Sequence, residues 1–132
     1  MSRTEVFFDS NIILYLLSAD LRKAERSEEM LLAGGVVSVQ VLNETVRVAR
    51  GKYRLDWAIV DNLLGSVIES CAVQSISLAT HEMALRLAKR HFFAIFDANI
   101  VAAALLAGCT TLYSEDMQDG LAVDGLTIRN PF

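Results

Sequence analysis

Short apolar runs, each followed by a segment of helical spacing, constrain this 132-residue chain more than any other feature. Val6–Phe8 reads as a buried strand, with residues 11–18 entering a helix directly from it. Asp20 is placed to cap a second helix that stops at Gly34-Gly35. Val36–Ser38 is a second strand, after which Val39, Leu42, Val46 and Ala49 recur at helical spacing towards Gly51. Residues 55–69 form a further amphipathic pattern, and residues 73–76 a third strand. Helices are expected over 78–90 and 97–107, the latter ended by Gly108. Thr111–Tyr113 and residues 126–128 complete the strands. Apolar strands alternating with helices predict a parallel sheet covered on both faces. One proline and the lack of any repeat or linker predict a single α/β domain over 1–132.

Four acids stand where this pattern has little use for charge. Asp9 ends a Val-Phe-Phe-Asp run, and Glu44 interrupts the apolar helix around Val41 and Val48. Asp97 follows Phe-Ala-Ile-Phe, and Asp116 comes just after Thr-Leu-Tyr-Ser. An isolated buried carboxylate is very costly unless it is paired or binds a metal. Asp9 and Asp116 fall at the C-terminal ends of strands, the edge where open α/β sheets bind ligands. Glu44 and Asp97 fall in the early turns of helices along the same sheet. The joint placement points to one convergent, metal-loaded pocket. Each acid also has an ordinary explanation. Asp97 and Asp9 suit helix caps, Glu44 a solvated helix edge, and Asp116 a solvated loop.

Composition narrows the function classes. The longest apolar stretch, residues 100–107, is too short to span a bilayer. No charged n-region followed by an apolar h-region opens the chain, so an unprocessed, cytoplasmic protein without a membrane partner is expected. Hydrophobic content of 53% is high for a small monomer and predicts an apolar interface. A net charge of −4 argues against broad non-specific nucleic-acid affinity but permits a local basic patch. Arg47, Arg50, Lys52 and Arg54 could form one at a helix end, contacting a phosphate backbone, although a solvated face is the ordinary reading. Cys71 and Cys109 read as reduced core residues. His81 and His91 have no second ligand at metal spacing. Ser10 lacks the Gly-x-Ser-x-Gly setting of a nucleophile elbow, and no phosphate-cradling glycine loop is present.

Four blocks, VFFDSNIILY at 6–15, SVQVLNE at 38–44, FDANIVAAA at 96–104 and LYSEDMQDG at 112–120, together resemble the PIN-domain family. That family includes the ribonuclease toxins of VapBC-type toxin–antitoxin pairs. The ending IRNPF at 128–132 looks like one bacterial branch of it. The resemblance implies a three-layer α/β/α sandwich around a mostly parallel sheet. It implies a metal-binding quartet of Asp9, Glu44, Asp97 and Asp116, supported by Asn11 and Ser114. Ser10 replaces the more usual Thr, and Asp119 sits where many relatives of the branch have His. A homodimer and a small antitoxin partner are implied as well.

The chemistry expected of such ligands is RNA phosphodiester hydrolysis with one or two Mg²⁺ or Mn²⁺ ions, since carboxylates and water suit hard cations. An empty pocket should repel itself and raise at least one carboxylate pKa. Other readings remain: a non-catalytic binding module of the same fold, or an RNA-processing nuclease without an antitoxin. A phosphatase using Asp9 as nucleophile would want Asp-x-Asp, and here the motif is Asp-Ser-Asn. A receiver-like phosphoacceptor would want a lysine after a late strand, and none follows Lys89.

Overall fold

The computed structural model describes residues 5–132. Six strands form a single sheet in the order β3-β2-β1-β4-β6-β5, with β1 Val6–Phe8, β2 Val36–Ser38, β3 Ala72–Gln74, β4 Thr111–Tyr113, β5 Ala122–Val123 and β6 Leu126–Arg129. Every pairing is parallel except β5 with β6. The helices are α1 Ser10–Leu14, α2 Leu21–Ala33, α3 Val39–Gly51, α4 Trp57–Ser70, α5 Leu78–His91 and α6 Ile95–Leu106, with a 3-10 turn at Tyr15–Leu17. The expected α/β sandwich with a mostly parallel sheet is the observed one.

The central strands are uniformly apolar because both of their faces are covered. Phe7, Phe8, Leu112, Val37 and Ile128 are all but inaccessible. α6 is buried almost all round, from Ala98 through Ile100 to Ala104, which explains why its sequence shows no polar face. The alanines let α6 lie close to its neighbours, and it packs mainly on α5 and touches β2. Gly35 is required by the close approach of β1 and β2. A Cβ there would meet the Phe8 ring at 2.5 Å and the Val6 carbonyl oxygen at 2.9 Å.

Boundaries shift where local bonding overrides periodicity. The third strand lies at Ala72–Gln74 instead of 73–76, because Ala72 pairs with Val36 and the chain then enters the capping box of Ser77 and Thr80. α4 begins at Trp57, not residue 55, since the Leu55 N–H still bonds the Ala49 carbonyl at the end of α3. The first helix tightens to a 3-10 turn after Leu14. The unexpected strand is β5, joined to β6 by Asp124-Gly125 with φ of 49° and 91°. Asp-Gly is a strong two-residue hairpin signal, and here it joins a strand of only two residues, too short for an apolar run to mark.

Candidate active site

β1 occupies the middle of the sheet. The chain moves outward on one side through β2 and β3, then crosses to β4 on the other side of β1. Where the direction of winding reverses, the loops leaving the two strands diverge and open a crevice at their C-terminal ends. Asp9 leaves β1 into that crevice, and Ser114 to Asp116 leave β4 beside it.

Asp9 is 4% exposed and has two tasks. Its Oδ1 accepts the Ser10 N–H at 2.7 Å, which makes it the cap of α1. Its Oδ2 accepts from Ser114 Oγ at 2.8 Å and from Asn11 Nδ2 at 3.4 Å. The capping role and membership of the acidic group therefore coexist. Burial pushes its carboxyl from the ordinary 3.8 up to about 6; the Ser114 and Ser10 hydrogen bonds oppose this, and the charges of Glu44 and Asp116 add to it.

Ser114 and Asn11 fasten the two strand ends together. Ser114 is fully buried, and while its hydroxyl donates to Asp9 it accepts the N–H groups of Asp116 at 3.2 Å and Met117 at 3.3 Å. Asn11 donates to Asp116 Oδ2 at 3.1 Å, and its own Oδ1 accepts the Glu115 N–H at 3.2 Å. One residue along, Glu115 is tied to Lys23 at 2.9 Å, and Lys23 in turn lies over the Tyr15 ring. Nothing in the local sequence announces a pair 92 residues apart.

Glu44 and Asp97 approach from the helices. Glu44 is half-buried on α3 and accepts Ser10 Oγ at 3.4 Å. Its carboxyl is raised chiefly by burial and also by the charge of Asp97, against the opposing effects of Ser10, Arg47 and Gln40. Asp97 is the third residue of α6, whose cap position is Ala94, so it is not the helix cap that its sequence context suggests. It stands in the first turn, where the helix dipole favours an anion. Burial raises its carboxyl too, with the charge of Asp116 adding to it.

The electrostatic couplings close a ring: Asp9 with Glu44 and Asp116, Glu44 with Asp97, and Asp97 with Asp116. Carboxylates from four separate segments thus lie near enough to repel one another pairwise. Among the described residues, no three of them lie close enough to ligate one ion together. That donor set does not form an all-protein cage. It fits an ion such as Mg²⁺, which keeps several waters and takes one or two carboxylates.

The other candidates divide. Arg47 is exposed beside Glu44, whereas Arg50 donates to the Leu55 carbonyl at 2.9 Å and lies 4.3 Å from the centre of the Trp57 ring. Lys52 lies over Tyr53. The basic segment is therefore split along α3, and only Arg47 is seen next to the acids. Asp119 accepts the Asn130 N–H at 2.9 Å and so anchors the C-terminal tail. His81 is exposed, His91 packs near Phe93, and both cysteines are buried thiols. Sequence reasoning overlooked Gln40 and Phe96, whose side-chain amide and carbonyl oxygen meet at 3.0 Å. Glutamine four residues before Glu44 on one helix face was the available signal.

An α/β sheet with an acidic crevice at its switch point is the class of protein defined by this arrangement. The chain belongs to the PIN domain family, whose model matches residues 6–121. Similar solved structures include a toxin–antitoxin complex from Klebsiella pneumoniae, with TM-score 0.70 and 22% identity over 96% of this chain and 98% of that one. VapC20 of Mycobacterium tuberculosis, a toxin that cleaves the sarcin–ricin loop, has TM-score 0.68 and 17% identity over 84% and 91%. PAE2754 from Pyrobaculum aerophilum has TM-score 0.66 and 17% identity over 94% and 83%. No curated protein matches the chain. No helix among the described residues is long and apolar enough to cross a membrane.

Proposed function

We propose that this chain is one PIN-like domain acting as a metal-dependent endoribonuclease, the toxin of a toxin–antitoxin pair. The observation that carries the reading is the ring of four mutually repelling carboxylates, three of them with raised pKa values, at the switch point of the sheet. A chain keeps such a group when a cation or proton offsets it. Asp9, Glu44, Asp97 and Asp116 would hold one or two Mg²⁺ or Mn²⁺ ions. Such an ion, when bound, activates a water and stabilises charge on phosphate oxygens. Ser114 and Asn11 hold Asp9 and Asp116 in place, so little reorganisation is needed at that side of the pocket.

Asp97→Asn tests this reading. The substitution keeps shape and removes one charge from a residue that caps nothing. Purified variant and wild type are compared for RNA cleavage in Mn²⁺ and for melting temperature. Loss of cleavage with an unchanged melting temperature supports the reading, and wild-type cleavage by the variant refutes it.

The partners follow from surface chemistry and the relatives. Phe92, Leu32 and Leu78 are 92%, 72% and 71% exposed, an apolar excess suited to a homodimer. Sedimentation at micromolar concentration should show a dimer, and a monomer would count against one. The similar Klebsiella pneumoniae structure is a toxin–antitoxin complex. An antitoxin would lay an amphipathic helix on apolar surface and send an arginine among the four acids, where its planar fork pairs carboxylates. Co-purification with the product of the neighbouring gene tests this. A complex that keeps full nuclease activity would rule out inhibition by that partner.

A further inference from the structure

Beyond Glu44 the acidic crevice continues into a groove of about 420 Å³ lined by Gln40, Asn43, Glu44, Arg47 and Phe96. Its aromatic wall is the Phe96 side chain, 66% exposed. Its polar side is α3, where Asn43 and Arg47 are exposed one turn apart. The Gln40 amide donates to the Phe96 carbonyl at 3.0 Å, tying α3 to the start of α6 and fixing the width between the walls. Phe96 directly precedes Asp97, and the groove shares Glu44 with the acidic ring. Whatever lies in it therefore adjoins the reacting position.

We infer that this groove is a nucleobase subsite, in which one unpaired base of an RNA strand stacks on Phe96 while Arg47 takes a neighbouring phosphate. The inference rests on the nuclease reading above and names where one base of the substrate sits. One aromatic face opposite amide and guanidinium groups matches a nucleotide, which is flat and apolar on its faces but polar at its edges and backbone. Side-chain stacking needs a base splayed out of a helix, so the subsite takes an unpaired base. Arg47 also supplies the single cation of this groove in an otherwise acidic neighbourhood, where a phosphate needs one.

The test compares binding of a fluorescein-labelled single-stranded oligoribonucleotide, by anisotropy at fixed salt, in an Asp97→Asn background that does not cut it. Phe96→Ala should weaken binding by about tenfold, within the range for loss of one base–aromatic stack. Phe96→Trp should retain wild-type affinity. Arg47→Ala should lower the dependence on salt by about one phosphate contact. A duplex of the same sequence should bind Phe96→Ala and Phe96 proteins alike. Single-strand affinity unchanged by Phe96→Ala, while the otherwise wild-type protein still cleaves RNA in Mn²⁺, overturns the subsite alone. Conversion of a dimer to a monomer by Phe96→Ala, without loss of RNA affinity, makes the groove a protein interface and also overturns it. A wild-type protein that neither binds nor cleaves RNA removes the nuclease reading and the subsite together.

Discussion

The two sides of the acidic crevice are built differently. On the strand side, Asp9 is buried and bonded by Ser10, Ser114 and Asn11, and Asp116, although exposed, accepts a hydrogen bond from Asn11. On the helix side, Glu44 and Asp97 are half-exposed, and the Ser10 contact to Glu44 is 3.4 Å long. Carboxylates on the strand side are part of what joins β1 to β4. Those on the helix side are carried by elements that stand without them, as the Ala94 cap of α6 shows. The acidic crevice thus has one side whose bonding is fixed by folding and another whose carboxylates are less constrained. Charge removed from the first side should alter stability and activity together, and from the second activity alone.

The largest effect expected is on the helix side. Asp97→Asn should reduce cleavage by more than the roughly 10–100-fold typical of residues that only orient a metal ligand. Its unfolding midpoint in chelator should stay near that of the wild type. A large change in stability would erase the distinction between the two sides.

Next comes the serine that joins the strands. Ser114→Ala leaves Asp9 without its 2.8 Å donor and two backbone N–H groups without their acceptor. Leaving buried groups unpaired costs about 1–3 kcal/mol, and cleavage should fall by about 10–100-fold. Denaturant unfolding and initial rates measure the two losses, and stability equal to wild type would contradict the bonding described.

Asp9 gives a pH signature of opposite sign to that of an ordinary salt-bridged carboxylate. Its folded pKa, about 6, lies above the unfolded 3.8, so the folded state binds more protons between those values. Its contribution is most favourable below pH 4 and is lost as pH rises through 6. A shift of this size corresponds to at most about 3 kcal/mol, at about 1.4 kcal/mol per pH unit. Metal-free protein carrying Asp9→Asn should therefore lose less stability than wild type between pH 4 and 7. In Mn²⁺ at pH 7 the order should reverse, because the ion stabilises only the carboxylate form. Thermal melts in chelator and in Mn²⁺ check both signs.

The smallest effect belongs to Ser10→Ala. The hydroxyl contacts to Asp9 and Glu44 are both 3.4 Å, while the backbone N–H that caps through Asp9 remains. Stability should change by less than about 1 kcal/mol. A loss as large as that of Ser114→Ala would show the helix side to be fastened as firmly as the strand side.

Much of this arrangement was legible from local pattern. Val6–Phe8, Val36–Ser38 and Thr111–Tyr113 are strands at the bounds their apolar runs suggest. Asp9 and Asp116 could be placed at strand ends because period and sequence order locate those ends. Asp97 could not be distinguished from a helix cap, because the two differ only in where α6 begins, and Phe-Ala-Ile-Phe carries no capping signal. The basic segment divides in a way its sequence does not show, for a related reason. Arg47 and Arg50 differ by three residues, yet one borders Glu44 and the other turns back on Leu55 and Trp57. The Phe96 groove was invisible, since its walls are 53 residues apart in sequence from Asn43 to Phe96 and meet only when α3 and α6 pack.

The sequence by itself determined the alternation of strands and helices, the apolar centre of the sheet and the types of residue available for chemistry. Those depend on short-range sterics and on hydrophobic periodicity, which neighbouring residues encode. Tertiary structure decided that β4 crosses to the far side of β1, which sets Asp116 beside Asp9, and that α3 and α6 bring Glu44 and Asp97 within reach of their charges. It also decided which of them are held and which are free, and what lies beside them. Burial and mutual repulsion depend on distances between segments far apart in the chain, and only packing sets those distances.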